Sequence, residues 1–224
     1  MRFHPPPVGA VSNRALTTRT YRFILQNRET TMIQQPQPFE PQWPRYCPQR
    51  PFPPYRHIPG VTPHPIRDAL GHSYEPAGEA SHHDVSDAPL PPEMWRENEE
   101  YLYGVDLYNF AYWWEAHEAW EGLWHQAEDT YRLFLQGLIQ ISAAHIKYHS
   151  RMLRPLRTLS TAGRKKLHQV VIESYGTRCV YMGVDLSEFL ENAAAFFASF
   201  FADIVTEDTY REAAVRAPLI RLRF

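Results

Sequence analysis

The fourteen residues WWEAHEAWEGLWHQ, Trp113 to Gln126, set histidine and glutamate inside a run of tryptophans. On a helix, residues at i, i+4, i+7, i+8 and i+11 share a face. Counted from Trp113, that face carries His117, Trp120, Glu121 and Trp124, while Glu115 and Glu118 point elsewhere. Three chemistries fit an imidazole and a carboxylate one turn apart. They form a hydrogen-bonded core pair that fixes helix register, or two ligands of one metal ion, which each reaches at about 2.0–2.2 Å. The third is an acid and a base lining a small-molecule pocket.

The next helical stretch, TYRLFLQGLIQISAAHIKYH, has Gln136 and Gln140 as the strongly polar residues of its middle, again four apart. Two such pairs on adjoining helices most economically face each other, closing a polar centre or enclosing a ligand with the indoles of Trp113, Trp120 and Trp124. HEAWE resembles the zincin helix motif with Glu121 in place of its second histidine, so that signature is not met. A divalent ion at His117 and Glu121 would need further ligands. His64 in TPHP and His72 in GHSY are candidates, and His145 and His149 lie one turn apart on the following helix. Glu118 is a more remote candidate for proton transfer. No glycine-rich phosphate loop or nucleophile elbow is present. The basic stretch from His149 to His168 reads as a solvated loop and helix start, with an anion or nucleic-acid contact as the sharper alternative.

LYNFAYWWEAHEAWEGLWHQ followed by FLQGLIQISAAHIKYH resembles the bacterial and archaeal "domain of unknown function 309" family. The family's mark is a His-x-x-x-Glu-x-x-Trp motif, matched by His117, Glu121 and Trp124, and a Gln-Gly-Leu-Ile-Gln-like helix, matched from Gln136 to Gln140. The resemblance spans roughly 97–201 and implies a small all-α domain in which metal binding through that motif has been suggested, without an agreed activity. A glycine is common in the family where Ala111 stands, as a tight turn would require.

The elements that must position these residues are helical. Of the 20 prolines only Pro155 and Pro218 lie beyond Pro92, so the chain divides into a proline-rich N-terminal part and a proline-poor remainder. A first helix is expected after Pro92, with Glu93 in its first turn and an end near Tyr103 and Gly104. A short helical turn capped by Asp106 would follow, then a strong helix to about Gln126. The third helix is apolar almost all round and belongs in the middle of a bundle. The fourth, broken from it by Pro155, should run from roughly Leu159 to Ser174. The fifth begins at Asp185, with Glu188 completing a capping-box-like pair and Phe196, Phe197, Phe200 and Phe201 forming a wide apolar face. YGVDLYNF and MGVDLSEF read as reused capping chemistry. The fold class is all-α, a compact array of four to five helices after a mostly irregular extension. Its parts are a tail over 1–52, an extended strap over 53–90, a helical domain over 91–205 and a C-terminal tail over 206–224.

The 224 residues allow one core. A net charge of −2 gives no field that would draw nucleic acid or an acidic membrane. Two distant cysteines, Cys47 and Cys179, write no disulfide framework, so a reducing, cytoplasmic setting is expected. Residues 1–28 carry five arginines and no acid, as a transit peptide does, although Pro5–Pro7 obstruct a helix and Met32 offers another start. Two functions follow from different classes. One is a domain binding a divalent metal ion or small molecule, with a hydrolase-like role. The other is a non-catalytic helical module that meets a partner protein through its fifth helix or the C-terminal RAPLIRLRF, the polar centre being structural.

Overall fold

The computed structural model describes residues 43–76, 90–174, 179–214 and 217–224; the first 42 residues of the expected 1–52 tail and the later part of the strap lie outside them. Beyond Pro91 the chain runs through α1 (Glu99–Asn109), α2 (Trp113–Gln126), α3 (Asp129–His149) and α4 (Leu153–Glu173). Two-residue strands, β1 (Val180–Tyr181) and β2 (Val184–Asp185), pair as a tight antiparallel hairpin. Then come α5 (Leu186–Ala198) and α6 (Glu207–Ala214). The protein is all-α as its periodicity implies, with one minimal hairpin among the described residues. No helix there is long and apolar enough to cross a membrane.

Two helices differ from expectation. Pro92–Met94 form only a 3₁₀ turn, and α1 starts later, where the Asn98 side chain accepts the Tyr101 N–H at 3.0 Å. It then continues through Gly104 without a break. The reason is tertiary: the Trp120 indole lies where a side chain at 104 would be, its Cδ1 2.7 Å from the position of a Cβ. Glycine here gives up some helix propensity and admits a large ring. Asp106 is therefore inside α1 and not a cap, whereas Asp185 does cap α5, accepting the Glu188 N–H at 3.0 Å. The Gly-Val-Asp-Leu echo thus serves two purposes. Helix α4 begins at Leu153, earlier than expected, because Pro155 sits in its first turn, where no backbone N–H has an intrahelical partner to lose.

Helix α3 lies between α2 and α4, and its near-continuous apolar surface is spent on both. The α3–α4 contact is close because Gly137 and Gly163 meet; a Cβ at Gly163 would stand 2.9 Å from the Gly137 carbonyl oxygen. Phe196 and Phe197 of α5 and Phe200 of the 3₁₀ turn that follows it (Ser199–Phe201) are buried as their spacing implies, but Phe201 is half exposed. The α1–α2 turn puts Ala111 at φ 62°, the left-handed conformation that a glycine adopts more easily.

The irregular segment from Trp43 to Pro76 is packed in part, including residues assigned to the tail: Cys47 and His57 are buried, whereas Ile66, Leu70 and Tyr74 are exposed. Asp106 anchors it, its two carboxylate oxygens accepting the Tyr46 N–H at 2.7 Å and the Cys47 N–H at 2.9 Å, with Arg45 Nε at 3.2 Å. The C-terminal segment is also internal. Ile220 exchanges both backbone bonds with the Asn109 amide, at 2.7 and 2.8 Å, and Leu222 donates to the Tyr46 hydroxyl at 2.9 Å. The helix-five face and the C-terminal residues, which the interaction-module reading assigned to a partner, are buried largely within this domain.

Candidate functional site

His117, Glu118 and Glu121 project from one side of α2, and a ligand atom from each lies within 4.8 Å of the others. The three are half-buried at the seam with α3, not sealed in the core as the sequence implied; the side chains of His117 and Glu121 are 24% and 40% exposed. His117 Nδ1 lies 3.4 Å from the Ile139 carbonyl oxygen, and its Nε2 lies 3.5 Å from Glu121 Oε2. A carbonyl only accepts, so the Nδ1 contact places a proton on Nδ1. Nε2 of the neutral ring then offers only a lone pair, and it faces a carboxylate. Two acceptors at that distance can hold a proton or a cation between them.

Glu118 feels the same crowding. Burial, followed by the neighbouring charges of Glu121 and Glu115, pushes its carboxyl up to about 7. It therefore changes charge near neutrality.

The four residues predicted to face one another do so only in part. Register follows from His117 meeting Ile139, and from Arg132 Nη1 donating to the Trp124 carbonyl at 3.0 Å. This runs α2 antiparallel to α3 and brings Gln136 and Gln140 to about the level of Glu121 and His117 along the helix pair. Both amides are half-buried. Gln140 Oε1 accepts from Lys166 Nζ of α4 at 3.2 Å. The tryptophans separate as well. Trp120 is buried under α1, and Trp113 is buried against His145, rings stacked at 4.5 Å, so both indoles are core. Trp124 is half-buried, with Arg132 over its ring at 4.0 Å and its indole N–H enclosed without an acceptor.

His64 and His72 do not join His117. His72 Nε2 donates to Glu115 Oε1 at 3.1 Å, and the His64 ring packs against His57 at 5.1 Å and Trp114 at 5.5 Å. His145 is enclosed in the core beside the Tyr108 hydroxyl, 3.0 Å from Nε2. His149 lies against Trp113, ring centroids 4.5 Å apart.

Sequence reasoning passed over Glu115. It is only 5% exposed, and Oε1 accepts both the His57 N–H at 2.7 Å and His72. Oε2 is buried without a partner, as is Nη1 of Arg56, whose guanidinium burial pushes down from its ordinary range. A glutamate off the tryptophan face gave no periodic signal; its partners come from irregular backbone. A cleft lined in part by Pro92, Gln126, Asp129, Tyr131 and Tyr181 lies by the α2–α3 turn and includes none of the predicted site residues.

No curated protein and no solved structure matches the chain. Residues 101–159 do match the family model described as Domain of unknown function (DUF309). They include nearly all of α1, all of α2 and α3 and the start of α4. The segment holding His117, Glu121, Trp124 and the Gln136–Gln140 run thus lies in the part of the chain that is similar to the DUF309 family.

Proposed function

We propose that His117, Glu118 and Glu121 form a centre for a divalent cation. The observation that carries this is the His117 imidazole: its Nδ1 is committed to the Ile139 carbonyl while its Nε2 points at Glu121 across 3.5 Å. Ligands at about 2.1 Å in a tetrahedral site are about 3.4 Å apart, so the spacing suits an ion seated between them. The outward hydrogen bond from the other ring nitrogen is how ligating histidines are commonly oriented. One imidazole and two carboxylates favour a borderline or hard cation such as Zn²⁺ or Mn²⁺ over a soft one. Half-burial supports the same reading. A pair reached by water has no need of mutual contact to satisfy itself, so fixing helix register is a weak reason for it.

Such a cation, when bound, supplies Lewis acidity, the basis of a hydrolase-like role. The chain itself contributes two negative charges, a ring held by Ile139, and in Glu118 a carboxyl able to exchange a proton near pH 7. The rival to a metal between His117 and Glu121 is a proton, making an imidazolium–carboxylate pair.

Titration of tag-free protein with Mn²⁺, followed by the loss of the free ion's paramagnetic resonance signal, separates the two. A single saturable site that His117→Gln and Glu121→Gln each abolish, with thermal stability retained, is the expected result. Absence of saturable binding at pH 8 leaves only the ion pair.

A further inference from the structure

We infer that the cleft at the α2–α3 turn binds a small primary amine in its ammonium form, with the charge toward Glu128 and Asp129 and the carbon chain along Leu90, Pro91 and Pro92. The inference is independent of the cation centre, none of whose residues lines the cleft.

The cleft holds about 500 Å³, within the range of small-molecule sites, and is walled by the residues entering the helical domain, the α2–α3 turn and Tyr181 of β1. Glu128 and Asp129 line it, and no basic residue does. Arg132, the nearest arginine in sequence, is committed to the end of α2: its guanidinium covers the Trp124 ring at 4.0 Å and donates to the carbonyls of Trp124 at 3.0 Å and Ala127 at 3.3 Å. The N-terminal dipole of α3 offsets roughly half a charge, so the two carboxylates leave a negative surplus. Two more carboxylates stand at the rim. Glu173 accepts from the hydroxyl of Thr130, a lining residue, at 2.9 Å, and burial, followed by Glu93 and, more weakly, Glu173, pushes the Tyr181 phenol up to about 12.

The other walls favour a cation on a carbon body over a hydrated metal ion. Leu90, Pro91 and Pro92 give apolar surface, and Tyr131 and Tyr181 give aromatic surface, which attracts organic cations. Tyr131 also has an unmet hydrogen bond. The residue is 7% exposed, and its hydroxyl is enclosed with no partner in bonding geometry, although Asn98 lies beside it. A phenol oxygen accepts as well as donates, so it can take an ammonium N–H, whereas an anion would meet the surplus of like charge.

Binding is to be followed on the full chain through backbone amide chemical shifts during titration with n-butylammonium, with 1-butanol as a neutral molecule of matching size and tetramethylammonium as a cation without N–H, all at one ionic strength. Saturable shifts centred on Ala127–Tyr131 are expected for butylammonium, with butanol and tetramethylammonium each binding at least about fivefold more weakly. Glu128→Gln combined with Asp129→Asn should weaken butylammonium by roughly two- to tenfold with the fold retained, since exposed carboxylates each contribute little. Asparagine is chosen because residue 129 holds a φ of 45°, which that side chain tolerates. Equal binding of butanol or of tetramethylammonium overturns the assignment of a primary amine. Shifts that fail to saturate, shifts centred away from the α2–α3 turn, or an unchanged affinity in the double variant overturn the site.

Discussion

Gly104 of α1 lies beneath the indole of Trp120 from α2, so closely that a Cβ at 104 would fall 2.7 Å from Cδ1 of the ring. Trp120 is fully buried, and its Nε1 donates toward the Tyr101 carbonyl at 3.4 Å, leaving the ring little room to retreat. Gly104→Ala would gain about 1 kcal/mol of helix propensity, whereas forcing a methyl into a packed core costs about 1–3 kcal/mol. The clash should win, because α2 must shift along its whole length to relieve it. A lower urea midpoint with an unchanged slope is expected; a rise in stability would show that the ring moves freely.

Glu115 is the anchor that holds the irregular segment on α2, through His57 and His72. Glu115→Ala strands the buried His57 N–H, at a cost of about 1–3 kcal/mol, and should open the stretch between Pro53 and Tyr74 to proteolysis. Glu115→Gln keeps one oxygen acceptor and should lie between alanine and wild type. Equal protease resistance in all three proteins would mean that packing against Trp114, and not the carboxylate, retains the segment.

What was legible in the sequence was whatever had a period. The heptad-like spacing of α2 and α3, the Asp185–Glu188 cap and the placement of His117 next to Glu121 follow from backbone geometry that residues three and four apart must obey. The end of α1 was not legible, since Gly104 marks a helix stop on local grounds and is overruled by an indole sixteen residues away in sequence. Asp106 reads as a cap, and Glu115 gives no signal, for a related reason: each serves backbone N–H groups of a segment with no periodicity of its own. A tryptophan stripe by itself implies a polar centre deeper than the half-buried one α2 presents. Trp113 and Trp120 face the core, but Glu121 stands at the margin of that face and Trp124 lies in the last turn of α2, where both reach the seam.

His145 and His149 predict sensitivity to acid. Burial pushes the His145 imidazole well below its ordinary value, and burial aided by Arg56 and Arg151 pushes His149 down to about 3. In the unfolded chain both titrate near pH ~6.5. The unfolded state therefore binds more protons between about 6.5 and 3, and the stability these neutral rings contribute is complete above that range and is lost as pH falls through it. From pH 7 to pH 5 His149 alone accounts for up to about 2 kcal/mol. His149→Gln should flatten the pH dependence of urea unfolding by a comparable amount. An unaltered pH profile in that variant would assign the acid sensitivity elsewhere.

Glu118 carries the opposite sign. Its carboxyl is raised to about 7 in the fold, by burial first and then by Glu121 and Glu115. In the unfolded chain it titrates near ~4.3, so folding favours its protonated form, and that contribution fades as pH rises from about 4.3 to 7. Glu121→Gln removes one like charge and should lower the Glu118 titration, which carboxyl ¹³C shifts would follow directly. A cation at this centre requires Glu118 to give up its proton. Binding of Mn²⁺ should accordingly release about half a proton at pH 7, and almost none at pH 9, where the group is already ionised. The pH 7 release should disappear in Glu118→Gln. Saturable binding of Mn²⁺ without that proton would place Glu118 outside the coordination sphere and leave His117 and Glu121 as the only ligands that α2 provides.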